Sequence, residues 1–240
     1  MDSLYIVMPA YNEEANMEAV VRAWYPNLSG KDAKSRIVIA DSGSTDATHS
    51  VLVKLQKEFP LLDILQNTDK QHGPKVLSLY QYAIENGIDY IFQTDSDGQT
   101  SADEFDAFWQ LRTQYDAILG HRNVRGDGQS RAFVEHVVCF LLRVIFGVKV
   151  PDANAPFRLM KSGLVAKYID RLPGDYNIPN IMFTTYFAFY KENISFKTIT
   201  FKPRQEGVNS INIPKIMKIG WRSLRDFRNF KREMKEGGIQ

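Results

Sequence analysis

The sequence of 240 residues has one cysteine, Cys139, which excludes an internal disulfide. A chain without disulfides is typical of a reducing compartment, so we expect a cytoplasmic protein in which Cys139 fills the core. Long apolar runs are also missing. The longest candidate, residues 137–148, is interrupted by Arg143 and is shorter than the roughly 18 residues that a membrane span needs. The chain opens with a strand-like segment, residues 4–8, and we therefore expect no signal peptide.

Two common nucleotide-binding signatures are absent. The chain has no Gly-x-Gly-x-x-Gly, which disfavours a dinucleotide cofactor, and no Walker lysine loop, which disfavours hydrolysis of a nucleoside triphosphate by a P-loop. The four histidines do not share the spacing of zinc ligands. Acidic and basic residues almost cancel, 28 against 30, and we expect no nucleic-acid partner.

Strand-like and helix-like segments alternate in the first half of the chain. Strands are predicted over 4–8, 36–40, 61–65, 90–94 and 117–119, with helices over 14–24, 45–59, 76–86 and 103–114. This repetition predicts an α/β fold with three layers, in which helices cover both faces of a mostly parallel central sheet. The second half predicts a helix over 131–146, an extended stretch over 152–160, a helix over 181–190 and a strand over 195–202. We expect one domain over residues 1–212 and a C-terminal helix over 213–240.

The most informative segment is Asp95-Ser96-Asp97-Gly98-Gln99, which follows the predicted strand over 90–94. Gly98 allows a turn that can bring both carboxylates to one point, where a hard divalent cation would offset their repulsion. An EF-hand is excluded because Thr100 and Asp106 occupy its glycine and glutamate positions. A phosphatase with an aspartyl nucleophile and an acidic turn that caps a helix remain alternatives.

Polar residues also follow the first two strands. Pro9 stiffens the first turn, Tyr11 offers a flat face for a base, and Glu13 can accept hydrogen bonds from a base or ribose. Asp41, at the end of the second strand, can accept in the same way. In a parallel sheet these strand ends lie at the edge where open α/β folds bind ligands.

In this order, these segments resemble the signature of family 2 glycosyltransferases with the GT-A fold. The resemblance extends over residues 4–211 and is greatest to the polyprenyl-phosphate sugar synthases, such as the dolichol-phosphate mannose synthases. Further matching segments are Gly120-His121-Arg122, Asp152 with Pro156-Phe157-Arg158, and Arg204-Gln205-Glu206-Gly207 with Ser210. The chain departs from the pattern in two segments, since Ile211 replaces a lysine and Ala155-Pro156 replaces Ser-Gly. Both departures concern the acceptor side.

The resemblance implies an inverting transfer of a hexose from a nucleoside-diphosphate sugar. It implies that Mg²⁺ or Mn²⁺ neutralises the departing diphosphate, and it assigns roles to specific residues. The implied metal ligands are Asp95, Asp97 and Gln99. The implied donor site comprises Pro9, Tyr11, Glu13, Asp41, Asp95 and Arg122, with Lys75 as a weaker candidate. The residues implied in catalysis are Asp97, Arg122, Arg131 and Arg204.

The acceptor is argued from chemical need. A hydroxyl must lose a proton as it attacks and so requires a carboxylate base, whereas a lipid phosphate is already ionised and needs cations around it. The acceptor site implied by the resemblance comprises Arg131, Asp152, Arg158 and Arg204, and this favours polyprenyl phosphate. Alternatives are that Arg158 braces its strand through an ion pair with Asp152, that Asp152 or Glu206 is the base for a hydroxyl acceptor, and that the protein binds nucleotide sugars without catalysis.

The C-terminal segment is basic and amphipathic. From Ile213 onward the formal charge is +5, against −3 for the rest of the chain. Apolar residues recur there at helical spacing, namely Met217, Trp221, Leu224, Phe227 and Phe230. Such a helix can lie in a membrane interface, which would make the protein peripheral on the cytoplasmic face of the membrane, or it can pack on the domain or on a partner. A homo-oligomer or a separate membrane subunit is compatible with either arrangement.

Overall fold

The computed structural model describes residues 1–66, 68–125, 129–203, 225–234 and 236. Their strands are β1 Leu4–Ala10, β2 Arg36–Asp41, β3 Leu62–Leu65, β4 Tyr90–Gln93, β5 Ala117–Arg125, β6 Arg158–Lys161 and β7 Ile194–Phe201. Their α-helices are α1 Met17–Trp24, α2 Thr48–Glu58, α3 His72–Glu85, α4 Phe105–Trp109, α5 Gln129–Phe146, α6 Ser162–Ile169, α7 Pro179–Phe189 and α8 over 225–234. Short 3₁₀ turns cover Tyr25–Leu28 and Ala102–Glu104.

The strands of the described residues form one sheet in the order β3-β2-β1-β4-β6-β5-β7. The pairs β1–β2, β1–β4, β2–β3 and β5–β7 are parallel, whereas β6 is antiparallel to both of its neighbours, β4 and β5. The predicted α/β class with a mostly parallel sheet is therefore confirmed. Of the extended stretch predicted over 152–160, residues 158–160 belong to this inserted antiparallel strand, which ends at Lys161.

Each face of the sheet carries its own hydrophobic core. Strand β1 shows why, since its residues alternate between the two cores: Tyr5 and Val7 lie in one, and Leu4 and Ile6 lie in the other. Helices α3, α5, α6, α7 and α8 contribute to the first core, and α1, α2 and α4 contribute to the second. This arrangement explains why the first strands read as continuous apolar runs, because they are covered on both sides.

Several element boundaries differ from the prediction. Strand β5 continues through the Gly120-His121-Arg122 segment because it pairs with β7 along that length. Gly120 permits the close packing, since an added Cβ would lie 2.9 Å from the carbonyl oxygen of Phe157. Helix α3 starts at His72 rather than residue 76 because Pro74 is tolerated in a first turn. Helix α6 was not predicted.

The described part of the C-terminal helix packs on the domain. Phe227 and Phe230, assigned above to a stripe that can face a membrane, are 2% and 7% exposed. Their rings make edge contacts with Phe146 and Tyr176, at centroid distances of 5.8 and 5.4 Å. These two side chains therefore cover the core instead of facing outward. This agrees with the alternative in which the C-terminal helix packs on the domain. Met217, Trp221 and Leu224 lie outside the described residues, within which no helix combines the length and the apolar character needed to cross a membrane.

Candidate active site at the carboxyl ends of β1, β2 and β4

Three parallel strands deliver the predicted donor residues to one edge of the sheet. β1 lies between β2 and β4, and all three run in the same direction, so their carboxyl ends are adjacent. Ala10 at the end of β1 pairs with Asp41 at the end of β2. The hydroxyl of Ser96, next to Asp95, donates to the carbonyl of Pro9 at 2.8 Å and joins the loop after β4 to β1.

The loops after β1 and β2 are joined by hydrogen bonds. Asn12 adopts a left-handed conformation with φ of 54°, which asparagine tolerates better than most residues. Its N–H donates to the hydroxyl of Ser44 at 3.0 Å, and its side-chain oxygen accepts from the N–H of Thr45 at 2.8 Å. The N–H of Glu13 donates to the hydroxyl of Thr48 at 2.8 Å. The two loops therefore form one unit at the edge of the site.

Asp41 is buried and already engaged by protein groups. Its Oδ1 accepts from the hydroxyl of Ser44 at 2.5 Å, and its Oδ2 lies 3.3 Å from Nδ1 of His49. A nucleoside hydroxyl would therefore have to share these oxygens. Sequence reasoning missed His49, although its place in the first turn of the helix that follows Asp41 was an available signal.

Tyr11 and Lys75 lie together beside the end of β1. The Tyr11 ring is 43% exposed, and the Nζ of Lys75 lies 5.4 Å from its centroid, which is a cation–π contact. Lys75 is itself buried and donates to the carbonyl of Ala10. Burial lowers the pKa of the Lys75 ammonium, while the charges of Asp41 and Asp69 act in the opposite direction. The arrangement is a cation held beneath an accessible aromatic face.

The loop after β4 places two carboxylates close together. Gly98 has a φ of 71°, the left-handed conformation that its position in the turn requires. The N–H of Gln99 donates to Oδ1 of Asp97 at 3.1 Å. Oδ1 of Asp95 is buried and has no hydrogen-bond partner. A buried carboxylate oxygen without a donor is costly and indicates a group that would be satisfied by a ligand.

The electrostatics of Asp95 agree with that interpretation. Burial, followed by the charges of Asp97 and Glu13, raises the pKa of Asp95 to about 8, although Arg122 acts in the opposite direction. Glu13 is buried as well, and its Oε2 accepts from the side-chain amide of Asn16 at 2.7 Å. Three carboxylates thus influence one another in this region, a combination that favours a bound cation.

Gln99 ties the same loop to the end of β7. Its side-chain nitrogen donates to the carbonyl of Lys202 at 2.8 Å, and the N–H of Lys202 donates back to the Gln99 carbonyl at 2.8 Å. These bonds hold the side chain with its amide nitrogen directed at Lys202, which leaves the amide oxygen directed elsewhere. The predicted catalytic residue Arg204, two positions after Lys202 in the sequence, lies outside the described residues.

The donor set fits a hard divalent cation that also binds substrate phosphates. Within the described part of the chain, no group of three or more histidine, cysteine, aspartate or glutamate side chains is arranged to hold a metal. Mg²⁺ is commonly bound by only one or two carboxylates and completes its shell with water and phosphate oxygens. Asp95, with its partnerless Oδ1, and the neighbouring Asp97 match that requirement, and Gln99 adds an amide oxygen.

Arg122 and Asp152 form a buried ion pair next to this loop. Nε and Nη2 of Arg122 donate to the two oxygens of Asp152, and Nη2 also lies 3.4 Å from Oε2 of Glu135. The guanidinium stacks over the ring of Phe201 at 5.2 Å. Burial opposes ionisation of Asp152, but the hydrogen bonds and the charge of Arg122 outweigh it and lower the pKa of that carboxyl. Asp152 is therefore a weak base in this arrangement.

Sequence reasoning did not include Glu135 in the site. Its Oε1 accepts from the N–H of Ala153 at 2.8 Å, so it connects α5 to the segment that carries Asp152. Glu135 is the one carboxylate of α5, and it lies on the side of the helix that faces the domain. Its position as the single carboxylate of a helix whose other charged residues are arginines was the available signal.

Arg158 lies below the site with no exposed surface. Its guanidinium donates to the backbone carbonyls of Ala153, Ala155 and Asn180 and to the hydroxyl of Thr184. This enclosure argues against the predicted contact with an acceptor and favours a bracing function. The brace differs from the expected one, since Asp152 pairs with Arg122 instead. Arg131, by contrast, is only partly buried and lies near the start of α5.

Comparison with known proteins identifies relatives of the sequence. The family described as Glycosyl transferase family 2 matches residues 5–169, more than half of the chain. The succinoglycan biosynthesis protein ExoA of Rhizobium meliloti is 33% identical over 96 residues, which cover 40% of this chain and 28% of that protein. An undecaprenyl-phosphate 4-deoxy-4-formamido-L-arabinose transferase of Pseudomonas paraeruginosa is 22% identical over 166 residues, covering 69% and 49%.

Solved structures share the fold. Glucosyl-3-phosphoglycerate synthase of Mycobacterium tuberculosis, in a complex with Mn²⁺, UDP-glucose and glycerol 3-phosphate, superposes with a TM-score of 0.68 at 15% identity. The match covers 96% of this chain and 80% of the other. TarS of S. aureus superposes with a TM-score of 0.60 at 17% identity, covering 97% and 69%. The predicted GT-A fold is thereby confirmed. The chain spans about half or less of the length of the two sequence relatives named above.

Proposed function

The chain belongs to glycosyl transferase family 2, and from this premise we propose that it transfers a hexose from a nucleoside-diphosphate sugar to a polyprenyl phosphate, with inversion at the sugar carbon. The observation that carries the proposal is the buried Oδ1 of Asp95, which has no protein partner and lies beside Asp97. Such an oxygen is the ligand that Mg²⁺ or Mn²⁺ uses when it holds a diphosphate.

The nucleoside would bind where the loops after β1 and β2 are joined. Tyr11 supplies the exposed aromatic face, with the Lys75 cation beneath it, and Asp41 lies at the end of the adjacent strand. The side chain of Glu13 is held on this side of the site by the hydrogen bond from Asn16. Pro9 fixes the strand end and accepts the hydrogen bond that positions the metal loop.

The diphosphate would bind at the loop after β4. Asp95, Asp97 and Gln99 would hold the divalent cation, which acts as a Lewis acid on the departing diphosphate. The bonds between Gln99 and Lys202 keep that loop in place before substrate arrives. Arg122 is oriented by Asp152 and Glu135, and its charge acts on Asp95. It therefore contributes fixed positive potential on the leaving-group side.

The state of Asp152 supports a phosphate acceptor. A hydroxyl acceptor needs a base, but Asp152 is committed to Arg122 and has a lowered pKa. A phosphate needs cations, and Arg131 and Arg204 remain the proposed contacts. A relative named as an undecaprenyl-phosphate transferase and another, from Trichomonas vaginalis, named as a dolichyl-phosphate beta-glucosyltransferase support the same acceptor class.

A hydroxyl acceptor in polysaccharide assembly is the second candidate. The relative from Rhizobium meliloti, named for succinoglycan biosynthesis, favours it. Glu206 would then be the base to examine, since it lies outside the described residues and Asp152 is engaged. The two candidates predict different products from the same donor.

The deciding experiment offers the purified chain Mn²⁺ or Mg²⁺, a panel of radiolabelled nucleoside-diphosphate sugars and a short-chain polyprenyl phosphate. Metal-dependent transfer of label into the organic phase, abolished in Asp97→Ala, is the expected result. Asp103→Ala is the matched control because Asp103 is an exposed carboxylate in the turn that follows the metal loop. If label enters only water-soluble or polysaccharide products, the acceptor is a hydroxyl group and not a lipid phosphate. Donor binding without any transfer would argue for a silent binding protein.

A further inference from the structure

Helix α5 exposes an apolar face to solvent. Phe133, Val137, Phe140 and Val144 are 69%, 40%, 64% and 62% exposed. They recur at intervals of four, three and four residues, so they form one continuous stripe along the helix. At 1.5 Å per residue the stripe is roughly 16 Å long. We call these four residues the α5 stripe.

The helix is apolar on its inner side as well. Leu142 and Phe146 belong to the core, and the carboxylate of the helix, Glu135, points toward Arg122. A surface helix of a soluble domain ordinarily carries its polar residues outward, whereas α5 is apolar on both its inner and its outer side. A contiguous exposed patch of this kind marks a surface that another molecule covers.

The polar groups around the α5 stripe are basic or neutral. The exposed face of the described helix also contains His136 and Arg143, and Lys149 follows shortly after its end. Among the described residues from 131 to 149, no exposed residue is a carboxylate. Aromatic and aliphatic side chains interspersed with cations are the composition of a surface that binds anionic lipid headgroups.

Helix α8 adds positive charge at the same end. Its Phe227 packs against Phe146, the last residue of α5. Phe227 is turned inward, and the outer surface of α8 exposes three arginines, Arg225, Arg228 and Arg232. The exposed carboxylates there are one glutamate within 225–234 and Glu236. Of these two helices, α8 therefore faces outward with charge over its described residues, while the exposed apolar side chains belong to α5.

From these observations we propose that the α5 stripe docks on an anionic lipid bilayer, with Arg143, Lys149 and the arginines of α8 at the headgroups. The stripe begins two residues after Arg131, a proposed acceptor contact, so docking would bring a lipid-linked phosphate to the site from the membrane side. The inference rests on the proposed function for the identity of the acceptor only. Bilayer binding itself requires neither donor nor acceptor.

The test is flotation of the full chain with vesicles that contain no polyprenyl phosphate and no nucleotide sugar. Wild type should float with vesicles containing phosphatidylglycerol and far less with pure phosphatidylcholine, and added salt should weaken binding. The double variant Phe133→Ser/Phe140→Ser should bind at least about tenfold more weakly. Val53→Ser is the matched control, since Val53 is 39% exposed on α2, away from α5.

A second measurement does not depend on removing apolar residues. The variant Phe140→Trp, made together with Trp221→Phe, should show fluorescence quenching by brominated phosphatidylglycerol beyond that of Trp221→Phe alone, whose two remaining tryptophans, Trp24 and Trp109, are buried. Absence of vesicle binding by wild type, or unchanged binding and no added quenching in the variants, overturns the proposal. The proposal is also overturned if light scattering shows a dimer for wild type and a monomer for the double variant while vesicle binding stays the same. A second copy of the chain, and not a bilayer, would then cover the α5 stripe.

These outcomes are separate from those of the transfer assay. Loss of vesicle binding in Phe133→Ser/Phe140→Ser should leave nucleoside-diphosphate binding with Mn²⁺ unchanged in solution. If vesicle binding holds while no sugar transfer is found, the proposed function fails and the docking surface stands. If transfer to a short-chain acceptor is found without vesicle binding, the docking surface fails alone.

Discussion

The guanidinium of Arg122 donates two hydrogen bonds to the carboxylate of Asp152, at 2.8 and 2.9 Å, and the backbone N–H of Arg122 donates a third at 3.2 Å. Both side chains are nearly inaccessible, at 5% and 2%. The pair joins β5, the strand next to the β7 edge of the sheet, to the segment before β6. Its strength has consequences for stability and for the assignment of a base.

Asp152→Ala should lower the free energy of unfolding by about 3–5 kcal/mol, because it leaves the Arg122 charge buried without its main partner. Urea denaturation at neutral pH measures this. Asp116→Ala is the control, since the pair between Asp116 and Lys161 is partly exposed and should contribute less than about 1 kcal/mol. Equal losses in the two variants would contradict a special role for the buried pair.

The pair between Arg122 and Asp152 also predicts that the stability of the fold depends on pH in the acidic range. The pKa of Asp152 lies below its ordinary value of 3.8, so its charge stabilises the fold above that value, and the contribution is lost as the pH falls through the lowered pKa. Wild type should therefore lose stability on acidification that Asp152→Asn does not lose. Melting temperatures of both proteins measured from neutral pH down to below pH 4 would show the difference, and parallel curves would contradict it.

For Asp95 we expect the opposite dependence of stability on pH. Burial and Asp97 raise its pKa to about 8, so the folded chain holds a proton that the unfolded chain releases, and stability falls as the pH rises toward 8. In EDTA at pH 8, Asp95→Asn should be more stable than wild type, by about 2–4 °C in Tm for each kcal/mol relieved. Mn²⁺ should stabilise wild type more than the variant. A lower Tm for Asp95→Asn in EDTA would argue against an unpartnered buried carboxylate.

Arg158→Met separates bracing from acceptor binding. Three backbone carbonyls would lose their donor at about 1–3 kcal/mol each, so we expect a loss of at least about 3 kcal/mol in the free energy of unfolding. The comparison is Arg131→Met, which should leave stability nearly unchanged and raise the KM for the acceptor about tenfold. A stable Arg158→Met with a raised acceptor KM would restore the original assignment of Arg158.

Lys75→Met tests the cation beneath Tyr11. Because the contact lies at 5.4 Å and cation–π contacts contribute about 0.5–2 kcal/mol, calorimetric titration with uridine or guanosine diphosphate should show binding weakened by about 3- to 30-fold. Stability should change little, since relief from burying a charge offsets the loss of the hydrogen bond to the Ala10 carbonyl. Lys54→Met, an exposed lysine on α2, serves as the control. Unchanged nucleotide affinity in Lys75→Met would remove Lys75 from the donor site.

Gly73→Ala tests the packing at the start of α3. A Cβ there would lie 2.2 Å from the carbonyl oxygen of Tyr176 and 2.6 Å from Cα of Asn177, so backbone must move, at a cost of about 1–3 kcal/mol. Gly163→Ala is the matched control, because it lies in α6 with nothing within 4 Å of the added carbon. That variant should be neutral or slightly stabilising. Thermal melting compares the two.

Local patterns predicted the strands of the nucleotide-binding half well. β1 and β2 are mainly apolar, and polar motifs lie at or directly after the ends of β1, β2 and β4. Parallel topology alone therefore predicted that Asp41 and Asp95 lie at one edge of the sheet. Helix α6 escaped prediction because it has only eight residues and Gly163 lies in its first turn.

Tertiary partners were not predictable from local sequence. Asp152 could pair with Arg122 or Arg158, and the choice depends on the antiparallel insertion of β6, which encloses Arg158 among carbonyls. The apolar residues of α5 and α8 look alike as helical stripes. Only packing decides that Phe227 covers the core while Phe140 remains exposed.

The insertion of β6 also bears on how the chain acquires its shape during synthesis. Strand β4 carries the metal loop, yet one of its edges is completed only when Arg158 pairs with Gln93, 65 residues further along the chain. At roughly 5–20 residues per second, a ribosome leaves that apolar edge unpaired for several seconds. An unpaired edge invites pairing with another chain. Ribosome pausing before β6 emerges should therefore raise the fraction of aggregated nascent chains, and the antiparallel strand acts as the closing step of the sheet.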